Sequence, residues 1–474
     1  MQSSSSWTRC SAPSCVGSIR LKGQTDMGLI ASAKAFLSRT TAPTAERRFD
    51  AATGTPNRFD KGRATFSTYA TEVSAARGTV QGRARHVVAN NALASAANEA
   101  RKTAVVGPGL IPTSQHPDLA VRAALDASFA KWAKRADVTG RSNFGTLTAN
   151  AVGDEFIDGE AFARWVGDQL QAIPAEQVAM DLTTMLSDGR QIVNGIEIDG
   201  DGRVLAYHIH PARPTDVFAT YAPPVRVDAE DVLHLGQFAT GSYRAISKFA
   251  PVLLRLDALD SLEDAQAMNV RMAALLSVIL TNENDTSADD PLQEGAGLAP
   301  GAILKIPGGW KVNSTAPQQA QQSAELVQHM IRTIAAGLGI PVHLVDGNLT
   351  QANYSSLRAA LVSFRQTIDA YQFNVLQPCW LDPVWRRVAT AAVLSGEIAA
   401  KIDDDLFAVE WIPPAQPWVD PEKDLKAQVL AIDNGLMSRK QAVAAQGYSI
   451  EKLDAEIAAH PAITSPKPQK ETQQ

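Results

Sequence analysis

Residues Ile331–Leu361 read IRTIAAGLGIPVHLVDGNLTQANYSSLRAAL. Ile331, Ile334 and Leu338 share one helical face, continuing a period that starts at Ala324, and Gly339 and Pro341 end that helix. A short polar loop follows. Ser355 or Ser356 then supplies an N-cap, and Leu361, Phe364, Ile368, Tyr371 and Val375 recur at helical steps behind it. Pro378 is expected to kink or end this second helix, which resumes over Trp380–Leu394. No titratable cluster lies in the stretch. It reads as a helix–loop–helix device rather than catalytic machinery, and a ring of identical chains would place such loops around a central hole.

Working outward, Phe249–Leu280 has a sustained helical pattern, with Leu253, Leu256, Met268, Met272, Leu275 and Ile279 on it. At roughly 1.5 Å per residue it would span about 48 Å. Thr281–Pro317 loses the period and reads as an irregular insert with strand-like pieces at Ile303–Ile306. Further upstream, residues 40–82 read as an extended arm, Gln81–Val106 as a helix stopped by Gly107-Pro108-Gly109, and Leu119–Arg135 and Phe144–Phe156 as helices. Asp158-Gly159-Glu160 turns the chain into a strand over Ala161–Val166. Strands at Ile192–Ile198 and Val204–Ile209 flank a glycine-rich turn, and Val225–Leu235 reads as a strand pair around Asp228–Asp231. Downstream, Trp411-Ile-Pro-Pro414 and the prolines near Trp418 read as a rigid connector, followed by helices at Glu422–Asn434, Ser438–Ala445 and Ile450–Ala459. Gly28–Leu37 is a further expected helix. Residues 1–26 are Ser-rich without an apolar core and read as an extension rather than a signal peptide, and 461–474 as a polar, disordered tail.

The 474 residues are 45% hydrophobic and 20% charged, with 44 Lys+Arg against 50 Asp+Glu, a net charge of −6. That argues against a broad basic surface gripping nucleic acid, but not against a passage that DNA slides through. Nothing approaches the roughly 18 apolar residues of a membrane span. Cys10, Cys15 and Cys379 offer no disulfide framework.

No phosphate loop, nucleophile elbow or His-Glu-x-x-His is present. His208 and His210 share a strand face, where a metal site would need a third ligand such as His234 or Asp216; the alternative is a half-exposed sheet face. Asp257, Asp260, Glu263 and Asp264 cluster on the long helix, as a solvated or inter-subunit face or as an acidic channel wall that repels phosphate. Arg83, Arg85 and Arg101-Lys102 form a basic concentration, read as a solvent face or inter-subunit pairing.

In order along the chain, several short motifs resemble the lambda-type portal proteins of tailed phages. They are Arg83-Ala-Arg85 through Asn90-Asn91-Ala92 to Val106-Gly107; Phe156-x-Asp158-Gly159-Glu160-Ala-Phe162; Val193-x-Gly195-Ile196-Glu197-x-Asp199; Ala229-x-Asp231-Val232-Leu233-His234; Tyr354-Ser355-Ser356-Leu357-Arg358; and Asp420-Pro421-x-Lys423. One segment departs from the family pattern, Gly236-Gln237 to Arg244.

The resemblance implies a mixed α+β, mainly helical portal fold with wing, stem, clip and crown, assembling as a ring, usually a dodecamer. By order, it implies a wing over 27–248, a stem helix over 249–280, a clip over 281–317, and a second stem helix over 318–340. A tunnel loop over 341–354, a long wing helix and connector over 355–419, and a crown over 420–460 complete the set. It implies a non-catalytic DNA channel at the capsid vertex, part of the virion and assembled in the host cytoplasm, for packaging, head–tail joining and ejection. Asp346, Asn348, Thr350, Gln351 and Asn353 would line the channel at the loop. Asp257, Asp260 and Asp264 are channel-wall candidates, and Asp289, Asp290, Glu294, Trp310 and Lys311 would form the clip's motor and connector interface. Implied partners are further copies of the chain, a terminase large subunit, a head–tail connector, a capsid or scaffolding protein and non-specific double-stranded DNA, with no cofactor and no membrane. The rivals are a catalytic packaging ATPase or nuclease, which the missing phosphate loop opposes, and an adaptor that forms no ring.

Overall fold

The computed structural model describes Phe49 and residues 68–214, 216, 222–275, 279–282, 310–313, 320–350, 354–415 and 420–460; for 272–275, 279–282, 310–313, 320–323 and 354–355 it describes the backbone alone. Two helices lead, α1 (Tyr69–Asn90) and α2 (Ala92–Val105). The sequence reading differs here twice: residues 69–82 are helix rather than arm, and the expected Gln81–Val106 helix is broken. Val73, Ala76, Val80 and Ala84 are buried at helical steps, a stripe of small side chains that the surrounding Thr, Gly and Arg obscure. Asn91 makes the break. Its backbone N–H donates to Val87 O (2.8 Å), ending α1, and its side chain accepts from Ala94 N (3.0 Å), starting α2.

After β1 (Ile111–Ser114), helices α3 (Leu119–Ala133) and α4 (Phe144–Asp158) are capped by Asp118 and Asn143. Gly159 then reverses the chain with φ 95°, and a Cβ there would lie 2.4 Å from the backbone of Ile246. Only glycine fits both demands. The chain continues into β2 (Glu160–Val166), β3 (Gln169–Ile173), β4 (Thr184–Met185), β5 (Gln191–Val193), β6 (Ile196–Ile198), β7 (Val204–Ile209), β8 (Val225–Asp228) and β9 (Val232–Gly236). They form two antiparallel sheets, ordered β3-β2-β9 and β4-β5-β6-β7-β8. The expected strand Ile192–Ile198 is in fact a hairpin: Asn194 (φ 49°) and Gly195 (φ 81°) supply the two positive-φ residues of its turn. The expected pair around Asp228–Asp231 also divides, because β8 joins β7 while β9 crosses to β2.

Alternation along β2 and β9 builds two cores. Ala161, Ala163, Trp165, Leu233 and Leu235 face the helices, whereas Phe162 and Val232 face Ile196, Ile198, Tyr207 and Ile209 of the second sheet. The larger core holds an aromatic group of Phe129, Trp132, Phe144, Trp385 and Trp411, with Phe129 centroids 5.4–5.8 Å from the other four.

Helix α5 spans Leu253–Leu275, and the backbone is extended again over β10 (Ile279–Asn282), so the helix expected over 249–280 is shorter at both ends. β10 pairs antiparallel with β11 (Trp310–Asn313). Helix α6 (Ala320–Leu338) packs along α5. At Gly337 a Cβ would lie 2.4 Å from Val252 Cγ1. The short helix α7 (Val342–Asp346) was not anticipated in the expected loop; it seats Val345 in the core against α2. α8 (Tyr354–Tyr371) begins at or before the serines expected to cap it. It passes into a π-helical run, Gln372–Leu381, and then α9 (Asp382–Leu394). Pro378 therefore does not end the helix: its missing N–H falls inside the π-helical run, which has already begun at Gln372. After α10 (Asp404–Phe407), β12 (Val409–Ile412) pairs antiparallel with β1, so Trp411 and Ile412 belong to a buried strand rather than a connector. Helices α11 (Pro421–Asp433), α12 (Arg439–Ala444) and α13 (Ile450–Ala459) match their expected positions. The expected helix at Gly28–Leu37, the strand at Ile303–Ile306 and both terminal extensions lie outside the described residues.

Candidate functional site

The loop of the opening stretch is built by its own polar side chains. α6 closes with Gly339 at φ 69°, and Ile340 N donates to Ala335 O (3.1 Å). Beyond α7, Gly347 (φ 66°) turns the chain. Asp346 Oδ1 accepts from Asn348 N (2.9 Å), and Asn348 Oδ1 accepts from Thr350 N (3.0 Å) and Thr350 Oγ1 (2.6 Å). These are successive Asx turns. They bring Asp346, Asn348 and Thr350 together and give Asp346, the one acid of the loop, a structural role. Gln351 and Asn353 lie outside the described residues. Beside the loop opens a groove of about 850 Å³, lined among others by Glu325, Arg332, His343, Asp346, Asn348 and Ser356.

On α5, Leu253, Leu256 and Leu259 are buried, but from Asp260 to Arg271 no side chain is. Asp257, Asp260 and Asp264 share one face. Asp260 is committed to Asn91, whose Nδ2 donates to its Oδ1 at 2.7 Å, while Asp257 and Asp264 are exposed. The insert places Trp310 opposite Asn282 and Lys311 opposite Thr281 in the strand pair. Asp289, Asp290 and Glu294 lie outside the described residues.

The most heavily built polar centre is one the sequence reading passed over. Glu160 is fully buried between Arg77 Nη2 (2.7 Å) and Arg244 Nη2 (2.6 Å), with His234 Nε2 at 3.3 Å. Burial alone would raise the Glu160 carboxyl, but Arg244 and Arg77, then His234, hold it well below the usual carboxylate range. Arg244 also donates to Asn194 O (2.6 Å) and Ala175 O (3.1 Å). The segment that departs from the family pattern thus ends in the side chain that ties the Asp-Gly-Glu turn to the Asn194 turn of the second sheet, while Arg77 brings α1 to the same carboxylate. A second layer follows: Arg85 forks between Asp158 and Glu176, both at 2.5 Å, and Arg213 reaches Glu176 at 2.6 Å. Arg101 stacks over the Tyr371 ring at 4.1 Å beside Glu155, which accepts from Tyr371 Oη at 3.3 Å. Burial pushes the Glu155 carboxyl up, against the pull of Arg101 and Lys248. The basic concentration read as a solvent face or inter-subunit pairing is therefore, at Arg85 and Arg101, internal. Its only sequence signal was an Asp-Gly-Glu turn flanked by arginines far away in the chain.

His208 Nε2 lies 3.4 Å from Glu197 Oε2, which Arg226 and Arg190 also hold, and His210 Nδ1 lies 3.4 Å from Ala222 O. Among the described residues no three His, Cys, Asp or Glu side chains are grouped to hold a metal ion, and no helix is long and apolar enough to cross a membrane.

The paired helices α5 and α6, the Asx-turned loop and the long interrupted helix thus follow one another along the chain. Residues 55–372 match the family described as phage portal protein, lambda family, and the chain belongs to that family. It is 25% identical over 396 residues to a probable portal protein of Halomonas phage phiHAP-1, covering 75% of this chain and 74% of the relative. Portal protein B of Escherichia phage lambda is 22% identical over 368 residues, covering 68% and 69%. Among solved structures, a chain of the neck of an empty gene transfer agent particle aligns with 77% of this chain and 92% of its own length (TM-score 0.44, 17% identity). An HK97-family phage portal protein from Corynebacterium diphtheriae aligns with 59% and 83% (TM-score 0.31, 13% identity).

Proposed function

We propose that this portal protein acts without catalysis of its own, as one subunit of a closed ring at the capsid vertex through which double-stranded DNA passes during packaging and ejection. The observation that carries the reading is the loop after α6. Asp346 and Asn348 spend their side-chain oxygens on holding its turns, and among the described residues it offers no nucleophile–base pair and no phosphate cradle. A passage for DNA needs a stiff, weakly attractive rim, since phosphate-binding cations would hold the duplex in place. Asn348 and Thr350, with Gln351 and Asn353, form that rim, and Asp257 and Asp264 face the bore from the first stem helix. In this arrangement 27–248 forms the wing, 249–280 and 318–340 the stem, 281–317 the clip and 420–460 the crown. The clip, with Asp289, Asp290, Glu294, Trp310 and Lys311, docks a terminase large subunit and later a head–tail connector; a capsid or scaffolding protein surrounds the wing. Assembly precedes DNA filling, in the host cytoplasm. Negative-stain imaging and native mass measurement of the purified chain test this: closed rings of about twelve subunits are expected, with no ATP turnover by the chain alone. A monomer or dimer under all conditions, or ATP hydrolysis without a terminase, overturns it.

A further inference from the structure

Arg358 stands in an unfavourable place on its own helix. It is the fifth residue of α8, and helical side chains lean back toward the N-terminus, here the positive end of the macrodipole. α8 carries no acid before Asp369, so no neighbour three or four residues away balances the charge. The balance comes from α11, 66 residues on in the chain: Arg358 Nη2 donates to Asp424 Oδ1 at 3.1 Å. Asp424 lies in the first turn of α11, where an anion is favoured, and its other oxygen accepts from Asp420 N at 3.2 Å. One carboxylate thus closes the start of α11 and holds the start of α8. α11 has no buried residue of its own, so little apolar packing ties it to α8. The start of α8 is also a wall of the groove beside the loop. Ser356 and Leu357 line that groove together with Asp346 and Asn348, the residues whose Asx turns shape the loop.

We infer that Arg358 is a positioning residue for the loop: held by Asp424, it fixes the start of α8 against α11, so that a displacement of α11 is passed to the loop and the reverse. Its consequence for DNA filling rests on the reading above that the loop is the DNA-facing rim; the coupling itself is a property of the single chain. Hydrogen–deuterium exchange on the full chain reads it at the amides of Asn348, Thr350 and Ala359–Leu361, with Phe144–Asp158 as the internal standard. Asp424→Asn keeps an oxygen for Asp420 N and removes the charge, and Arg358→Gln removes the other half of the pair. Each is expected to speed exchange at those amides about two- to fivefold, the range of an exposed ion pair, with α4 unchanged. The double variant is expected to exchange no faster than Arg358→Gln alone, and Asp424→Glu, which keeps the charge, to match the wild type. The two side chains are 44% and 21% exposed, so raising the salt is expected to bring the wild type toward the variants while the variants stay unmoved. Unchanged exchange at Asn348 and Thr350 in both single variants overturns the inference, and so do effects that simply multiply in the double variant. Packaged DNA per particle separates this from the reading it builds on. Faster loop exchange with unchanged filling keeps Arg358 as a positioning residue and removes the loop from the DNA path.

Discussion

Glu160 and Gly159 concentrate much of what the packing of α1 on the two sheets requires into two adjacent positions. Glu160 is fully buried and pairs with two buried arginines, so Glu160→Gln leaves guanidinium charge uncompensated. A loss of about 3–5 kcal/mol at neutral pH is expected from denaturant unfolding. The pH dependence has a definite sign. A carboxyl whose folded pKa is held low contributes stability above its unfolded value, about 4.3, and loses it as pH falls toward the folded value. Glu176, held at about 2 against burial chiefly by Arg85, contributes in the same direction. The wild type is therefore expected to lose stability steeply below about pH 4.3, and the gap to Glu160→Gln to narrow there; a constant gap from pH 7 to pH 3 would show that the charge of Glu160 is not what holds the centre. Gly159→Ala is expected to cost roughly 2–5 kcal/mol, because φ 95° and the 2.4 Å approach to Ile246 backbone cannot both be relieved by a side-chain rotation. Circular-dichroism melting of that variant is the direct check.

The long helix shows how a local winding can be dictated by distant packing. Tyr371, Leu376 and Leu381 are buried at steps of five, whereas Phe364, Ile368 and Tyr371 before them and Leu381, Trp385 and Val388 after them step by three or four. The π-helical run lets both halves keep their apolar faces inward despite surplus residues between them. The run is pinned by Gln372 Nε2 to Val105 O (2.6 Å) and Trp380 Nε1 to Thr148 Oγ1 (3.2 Å). Deleting Pro378, which is exposed, is therefore expected to cost less than about 2 kcal/mol, while deleting Arg386 in α9 turns Trp385 and Val388 out of phase with each other and costs more than about 4 kcal/mol. Similar losses for the two deletions would refute this account of the winding. Periodicity and stop signals made the C-terminal helices, the α6 terminus and the Gly159 turn legible in the sequence, because those depend on neighbours three or four residues away. The start of α1 was hidden by a stripe made of alanine and valine, and the Asn194-Gly195 hairpin by a run of β-branched residues read as one strand. The pairing of β12 with β1, about 300 residues apart, has no local signature. Among the site residues, polar character of the loop was legible, but that Asp346 and Asn348 fold the loop was not, and the Glu160 centre is assembled from five separate segments.

At the scale of the molecule, the family places the chain among lambda-type portal proteins, and the paired α5 and α6 set the loop at the end of a two-helix support. Near the start of α5, Leu253, Leu256 and Leu259 lie in the core, whereas none of the described side chains from Asp260 to Arg271 is buried, the profile of an element that projects from its own subunit. A passage that lets DNA slide must avoid both attraction and strong repulsion at the loop, and this is open to a clean test because of how the loop is held. In Asn348→Asp the new carboxylate still accepts from Thr350 N and Oγ1, so the turn survives and only the charge changes. Combined with Gln351→Asp it would add two negative charges per subunit, a ring of about two dozen at the assumed twelvefold symmetry, facing phosphates across a few ångströms. Rings are expected to assemble with unchanged subunit number and melting temperature, while packaged DNA per particle falls severalfold, and raising the salt is expected to restore part of the loss by screening. Unchanged filling would remove these side chains from the DNA path, and a loss of rings would mean that the loop contributes to subunit contact instead.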